Sequence, residues 1–354
     1  MNHLKVNHHI LKMTIKVISY NILSPFLCHD GEFIGYNAGH LQWQSRKQLL
    51  FNYLQKWIED SPIICLQEIS FNWKGKLEEF FRKNNYTFFT MNYGHKSNGF
   101  FGVGIAIPDQ YSIKNTEYLH MGSIINANPP EHIYNWFYQQ KQTERKKEED
   151  KLSFVDRVAF LMEELVESKE DEIQKIQDTI NEAKNRNNFA IGLTLETKDE
   201  VPKQFMIYNY HMPCTFKKPV IQAMHIDAIK KLIIKNKQVP TIFAGDFNVT
   251  PDSDGYNYLT SPFLQDEHRI YIPVGNHSDI ALKSAFKEIG KEEPNFTCFS
   301  HTKFGGEFKN TLDYIFFHGS LQASEAERLI LTSTKMPNQS NPSDHLPLTA
   351  TFQL

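Results

Sequence analysis

At 354 residues the chain is long enough for one large or two ordinary domains. Hydrophobic residues make up 40% of it, including 27 Phe and 15 Tyr, so a sizeable core is expected and wholesale disorder is excluded. A formal net charge of −3 argues against gripping long nucleic acid by bulk electrostatics, although a local basic groove remains compatible with it.

Residues 1–13 carry several His and Lys and no apolar stretch of signal-peptide length, and read as an N-terminal tail. Four scattered cysteines (Cys28, Cys65, Cys214, Cys298) form no CxxC pair, which disfavours a disulfide framework or zinc site. With no window approaching the roughly 18 apolar residues of a membrane span, the expectation is a soluble protein. It should reside inside the cell, in cytoplasm or nucleus.

The first strand-like run, 15–19, leads into Ser19-Tyr20-Asn21. An Asn at that place is ordinarily a turn former. Helical spacing over 42–59 puts Leu49, Tyr53, Leu54 and Trp57 on one face. The run 63–66 is followed by Gln67-Glu68. A carboxylate directly after a buried strand needs water, a helix N-terminus or a cation, because an unpaired buried charge is costly. Mg²⁺ suits that position, since it takes hard oxygen ligands; a salt bridge would serve equally.

Runs 86–90 and 101–107 follow, and then the composition changes. Over 141–186 Lys, Glu and Gln dominate, with Leu152, Val155, Val158, Leu161, Leu165, Ile173, Ile176 and Ile180 at helical spacing. This predicts one or two amphipathic helices inserted at about 129–187. They form either a solvated hairpin packed on the domain or an arm for a protein partner.

Strand 189–195 opens after Asn188, and strand 204–209 ends in Asn209-Tyr210-His211, where alternation places Asn209 and His211 on one face. A helix over 218–235 presents Ile221, Met224, His225, Ala228 and Leu232. Strand 241–244 runs into Gly245-Asp246-Phe247-Asn248, where Gly permits a tight exit and Asp246 and Asn248 share parity. In such a pair the carboxylate can orient water and the amide can hold a phosphate oxygen; the competing reading is an Asx turn. Strand 312–317 carries Asp313 near its start, and the last strand, 347–352, follows Ser343-Asp344-His345. Asp313 paired with His345 would fix the imidazole tautomer and raise its basicity, leaving Asp344 for a metal.

Taken in order, SYN, LQE, NYH, GDFN, LDY and SDH resemble the endonuclease/exonuclease/phosphatase superfamily, the deoxyribonuclease-I-like fold, across residues 14–354. The resemblance implies an α/β, four-layer sandwich: two packed mixed β-sheets flanked by helices, here with the helical insertion. By motif, Glu68 matches the metal-binding glutamate, with Asn21 beside it and Asp344 as a further carboxylate near the metal. Asn209 and His211 match phosphate-contacting groups, Asp246 and Asn248 those that align water and phosphoryl oxygens, and Asp313 the partner of catalytic His345. Both Asp246 and His345 stand as candidates for taking the water's proton.

The strings 251–259, 296–317 and 341–348 are most similar to the branch of nocturnin and the carbon-catabolite-repression deadenylases. On that likeness Asn188 belongs to the substrate site and Phe308 stacks a nucleobase, the alternative being an apolar cap on the rim. The segment 212–218 departs from that branch's wording. The implied activity is Mg²⁺-dependent phosphodiester hydrolysis, with Mn²⁺ as substitute, by a 3′-5′ exoribonuclease of deadenylase type acting as a monomer on RNA or a nucleotide. Lys217, Lys218, Lys303 and Lys309 are candidates to guide a short strand. Open alternatives are a phosphatase for a small 2′-phosphorylated dinucleotide, a DNA endonuclease of the same superfamily, and an inactive scaffold.

Overall fold

The computed structural model describes residues 14–29, 31–125, 146, 169–261 and 280–354. Fourteen strands are found among them: β1 (Thr14–Asn21), β2 (Ile63–Gln67), β3 (Tyr86–Asn92), β4 (Gly102–Pro108), β5 (Tyr111–His120), β6 (Phe189–Thr197), β7 (Gln204–His211), β8 (Thr241–Asp246), β9 (Lys283–Ser284), β10 (Cys298–Thr302), β11 (Gly306–Asn310), β12 (Asp313–His318), β13 (Gln322–Arg328) and β14 (Leu348–Gln353). Two six-stranded sheets result, ordered β13-β14-β1-β2-β4-β3 and β5-β6-β7-β8-β12-β9, with β10 and β11 forming a separate hairpin.

Period-two alternation decides what lies between the sheets. Ile15 and Val17 of β1, Ile63 and Cys65 of β2, Phe205 and Ile207 of β7, Ile242 and Ala244 of β8, and Ile315 and Phe317 of β12 share one buried inter-sheet cluster. The opposite parity packs outward. Ile18, Tyr20, Ile64 and Leu66 meet the helices Trp43–Trp57 and Phe71–Lys83. Tyr208, Tyr210 and Phe243 meet the helix Pro219–Lys235. The expected four-layer α/β sandwich is therefore the observed one.

Following the inter-sheet parity toward one end of the sandwich, the residue type changes. Beyond Val17 come Ser19 and Asn21, beyond Cys65 comes Gln67, and beyond Ile207 come Asn209 and His211. Asp246 follows Ala244, and Asp313 precedes Ile315, all of them buried. Because β7 and β8 are parallel and β12 is antiparallel to β8, His211, Asp246 and Asp313 fall side by side across three strands. One end of an apolar core is thus polar on both walls.

The strands absent from the sequence reading are mostly edges or short ladders. β5 and β13 each close one side of a sheet, and their burial alternates with exposure. An edge strand with one neighbour needs no continuous apolar run and is safer with charge on it, so YSIKNTEYLH and QASEAER carry little strand signal. In the first long helix the buried stripe is Arg46, Leu50, Leu54 and Trp57, with Leu49 and Tyr53 only half-buried.

Of the inserted segment, the helix Lys169–Lys184 is described, with Ile180 and Ala183 buried against the helix Pro219–Lys235. The expected positions Leu152, Val155, Val158, Leu161 and Leu165 lie outside the described residues, as does the N-terminal tail. His225 is a core histidine: Tyr210 Oη donates to its Nδ1 at 2.8 Å, and its Nε2 donates to the Ala183 carbonyl at 3.2 Å. Burial pushes its pKa down to about 3, so it is neutral. No helix among the described residues is long and apolar enough to cross a membrane.

Candidate active site

The polar end of the inter-sheet layer opens into a cavity of about 770 Å³. Its lining includes Glu68, Asn188, His211, Asp246, Asn248, Phe308 and His345, brought from six separate stretches of chain. Asn21, Asn209, Asp313 and Asp344 are not on the lining; they stand behind or beside it.

Strand exits create this convergence, and they are conformationally forced. Gly245 has φ 153°, and a Cβ there would sit 1.8 Å from the Tyr210 carbonyl oxygen of the parallel neighbour. Glu68 (φ 60°), Leu23 (φ 52°) and Asn248 (φ 49°) all occupy the left-handed region, each at a cost of about 1–2 kcal/mol for a residue with a side chain. Local hydrogen bonds offset this: Leu23 N donates to Asn21 Oδ1 (3.0 Å), Ser24 N to Glu68 Oε2 (2.8 Å) and Asn248 N to Asp246 Oδ1 (3.0 Å).

Glu68 and Asp246 approach from opposite sheets. The Asn21 amide nitrogen bridges them, donating to Glu68 Oε1 and to Asp246 Oδ2 at 3.1 Å each. Among the described residues no Lys or Arg pairs with either carboxylate; besides the Asn248 N–H, Asp246 faces His211 Nε2 at 3.6 Å and His345 Nε2 at 3.8 Å. Two buried carboxylates held by neutral amides are a poor arrangement without positive charge and a good one for a divalent cation. Asn21 was expected as a metal ligand, but its oxygen is taken by Leu23 N and it turns a donor nitrogen to the carboxylates. In this geometry the Asn21 nitrogen positions the two carboxylates.

Asp246 and Asp313 are direct cross-strand partners, a like-charge pairing that would be unfavourable alone. His345 resolves it. Its Nδ1 donates to Asp313 Oδ2 at 2.8 Å, which also accepts from Thr297 Oγ1 at 2.6 Å, and its Nε2 is turned toward Asp246. Burial disfavours the charged ring, but Asp313 outweighs it and holds the His345 pKa well above the usual value. Cys298 lies beside the ring, yet burial pushes its thiol up to about 11, so it is neutral at pH 7 and Asp313 is the charge that matters. Burial, then Asp313, raises the Asp246 pKa, against the two histidines. Burial likewise pushes Asp344 up to about 6.

Potential ligand atoms of Asp246, Asp313 and His345 lie within 4.8 Å of one another, as do those of Cys298, Asp344 and His345. Neither group includes Glu68, which reaches Asp246 through Asn21.

Asn209 was expected to contact phosphate, and the structure places it elsewhere. It is 0% exposed; its amide donates to Leu66 O (2.8 Å) and Gly104 O (2.7 Å) and accepts from Gln67 Nε2 (2.7 Å). Every polar atom of Asn209 is spent on tying the two sheets together just beneath the cavity. His211 does reach it, its ring stacked on Phe101 (centroids 5.5 Å apart). Asn248 lines the cavity with one N–H committed to Met212 O (2.8 Å), and Asn188 donates to His211 O (2.9 Å). Phe308 stands on the rim, tilted toward Phe216 with centroids 5.8 Å apart. The candidate strand-guiding lysines do not line the cavity: Lys218 pairs with Glu182, and Lys309 lies over Phe296 and Phe299.

Arg46 escaped the sequence reading. Only 1% exposed, it donates to the carbonyls of Pro342 (2.6 Å), Ile22 (2.9 Å) and Leu23 (2.5 Å). It thereby pins the exit of β1 to the loop that carries Asp344 and His345. Ser343 Oγ, donating to Asn21 O at 2.6 Å, adds a second tie. An Arg within an amphipathic helix reads as surface, and nothing local marks it otherwise.

The Endonuclease/Exonuclease/phosphatase family model matches residues 18–345. The CCR4-Not complex 3'-5'-exoribonuclease subunit Ccr4 of Emericella nidulans is 26% identical over 384 residues, covering 96% of this chain and 52% of that protein. The chain spans about half the length of the Ccr4 proteins it matches along nearly all of its own. Among solved structures, that of ANGEL2, a 2',3'-cyclic phosphatase, in complex with adenosine-2',3'-vanadate is similar with a TM-score of 0.65 and 19% identity, covering 98% of this chain and 97% of that one. The human Nocturnin catalytic domain with bound sulfate gives a TM-score of 0.59 at 19% identity, covering 97% and 96%. These structural likenesses carry the fold.

Proposed function

The chain belongs to the endonuclease/exonuclease/phosphatase family, and from that premise we propose that it is a Mg²⁺-dependent phosphodiesterase that shortens RNA from the 3′ end, with a deadenylase-like preference. The observation that carries the chemistry is the pair of buried carboxylates, Glu68 and Asp246, bridged by the Asn21 amide, with the Asp313–His345 pair alongside and, among the described residues, no Lys or Arg partner. Glu68 is the principal residue to hold the cation, with Asp246 and Asp344 near it. Bound Mg²⁺, or Mn²⁺ in its place, supplies charge that neutralises the phosphoryl oxygens.

The chain's own groups divide the remaining work. Asp246, fixed through Oδ1 by Asn248 N, orients the attacking water and accepts its proton through Oδ2. His345, kept charged by Asp313, donates from Nε2 to a phosphoryl or leaving oxygen. His211 and the free N–H groups of Asn188 and Asn248 steady the phosphate. Phe308 takes the terminal base, stacking being worth roughly 1–3 kcal/mol per base. The sequence similarity to Ccr4 favours RNA. The net charge of −3 favours a small nucleotide as the second reading.

Purified protein assayed on labelled oligo(A), mixed RNA, DNA and 2′-phosphorylated dinucleotides separates these readings. Stepwise 3′ shortening of oligo(A) is expected, abolished by chelation and lowered about 10²–10⁴-fold by Asp246→Ala. Hydrolysis of the dinucleotides alone would sink the nuclease reading.

A further inference from the structure

Beside the cavity mouth lie three exposed phenylalanines that the catalytic arrangement does not use: Phe26 (44% exposed), Phe71 (58%) and Phe100 (40%). They form one surface. The rings of Phe71 and Phe100 are 5.2 Å apart at a 42° tilt, Phe71 N donates to Gly99 O at 3.3 Å, and the Phe26 ring lies on the Gly99 backbone so closely that a Cβ there would be 2.2 Å from it.

That surface is continuous with the cavity. Leu27, next to Phe26, lines it, and so do Asn98 and Phe101 on either side of Gly99 and Phe100. Ser24 joins the two, giving its N–H to Glu68 Oε2 (2.8 Å) and its Oγ to Asn98 O (2.8 Å). The backbone at Phe100 (φ 52°) separates neighbouring side chains: Phe101 turns in to stack on His211, Phe100 turns out to solvent.

Lysines lie among the rings of this surface. Lys74, Lys76 and Lys96 belong to the segments that carry these rings, with Lys76 and Lys96 exposed, and the acidic residues Glu78 and Glu79 follow further along the helix that Phe71 opens. Exposed aromatic rings interleaved with cations suit a chain that offers flat bases and phosphates in turn. A neutral apolar protein partner would gain nothing from those cations.

We propose that Phe26, Phe71 and Phe100 form a stacking platform for single-stranded RNA, holding the nucleotides of the substrate strand that lie outside the catalytic cavity. The platform rests on the nuclease reading for its substrate, and it adds a binding site distinct from the Phe308 position. A strand long enough to reach the platform binds through both; a dinucleotide binds through the cavity alone.

The test uses the full chain with all three residues replaced (Phe26→Ala, Phe71→Ala, Phe100→Ala), alongside a second variant carrying Trp at positions 71 and 100. Steady-state kinetics are measured on oligo(A) from 2 to 12 nucleotides, and anisotropy reads the binding of a labelled 12-mer under chelation. The Ala variant should raise KM on the long strand about tenfold, leave kcat and dinucleotide cleavage unchanged, and weaken anisotropy binding in parallel; Trp should restore affinity. Equal KM for wild type and Ala variant on every length overturns the platform, as does an equal loss on dinucleotide and 12-mer. A change in sedimentation of the Ala variant without a change in RNA affinity makes the patch a protein interface and overturns it too. Should wild type bind the 12-mer through these residues yet cleave no RNA, the platform stands and the nuclease reading falls.

Discussion

In and behind the floor of the cavity Asn21, Asn209 and Asp313 are 0% exposed and Asp246 is 2% exposed, whereas on its rim Phe216 is 46% exposed and, on the surface beside the mouth, Phe71 58%. The floor is made of short polar side chains whose hydrogen bonds are committed before any ligand arrives: Asn21 to two carboxylates, Asp313 to His345 and Thr297, Asn209 to both sheets. The rim is made of aromatic rings that touch one another loosely. Preorganised polar groups in a dry site stabilise developing charge without rearranging during reaction, and exposed rings accept any base face. On the proposed function, reaction chemistry belongs to the floor and substrate choice to the rim. Changes at the floor should alter turnover or folding, and changes at the rim should alter affinity.

The sharpest way to break that division is Asp313→Asn. Asp313 acts through His345, so the expected loss in kcat is roughly 10²–10⁴-fold, with little change in KM. The pH profile distinguishes positioning from mere damage. With the Asp313 charge gone, the His345 pKa falls from its raised value, so the ring loses its proton at lower pH than in wild type. If charged His345 is the donor, the alkaline limb of the kcat profile moves to lower pH. Movement of the acidic limb instead would make neutral His345 the base and reassign Asp246.

The floor was legible in the sequence and the rim largely was not, for a physical reason. Asn21, His211, Asp246 and Asp313 sit at the inter-sheet parity where buried strands end or begin, so strand ends located them; Glu68 and His345 lie in the loops beside β2 and β14, and the resemblance of the ordered motifs joined all six into one site. Parity says which face a side chain takes but not whether its polar atoms are already used, which is why Asn209 was given a phosphate contact that its burial and hydrogen bonds preclude and why the donor nitrogen that Asn21 turns to the carboxylates was not foreseen. Arg46 was invisible because its partners are backbone carbonyls some 20 and 300 residues away, a relation no local pattern encodes. The rim residues Phe26, Phe100 and Phe216 come from loops, where an aromatic residue carries no period. β5 and β13 were missed because edges need no apolar run.

Asn209→Ala tests the same boundary with a smaller effect. It removes the Asn209 donors from the carbonyls of Leu66 and Gly104 and the shortest acceptor from the Gln67 amide, which keeps Ser19 Oγ and Cys65 O, in a dry layer, at a cost of about 2–3 kcal/mol. The urea midpoint should fall accordingly, while kcat of the fraction still folded at low temperature stays within a few-fold of wild type. A hundredfold loss of kcat at unchanged stability would return Asn209 to the substrate-contacting role its motif suggested.

Phe308→Ala is the mildest change and the one that sharpens the rim. Its ring leans toward Phe216 at 5.8 Å between centroids, closer than two rings can stand with a base stacked between them, so a base sandwiched there requires Phe216 to swing outward. Loss of one stacking face should cost roughly 1–3 kcal/mol, seen as about a tenfold rise in KM for oligo(A). Hydrolysis of bis(p-nitrophenyl) phosphate, which presents no nucleobase and needs only the floor, should be unchanged. Equal losses on both substrates would mean that Phe308 shapes the floor through its hairpin, and the separation of chemistry from recognition would not hold on that side of the cavity.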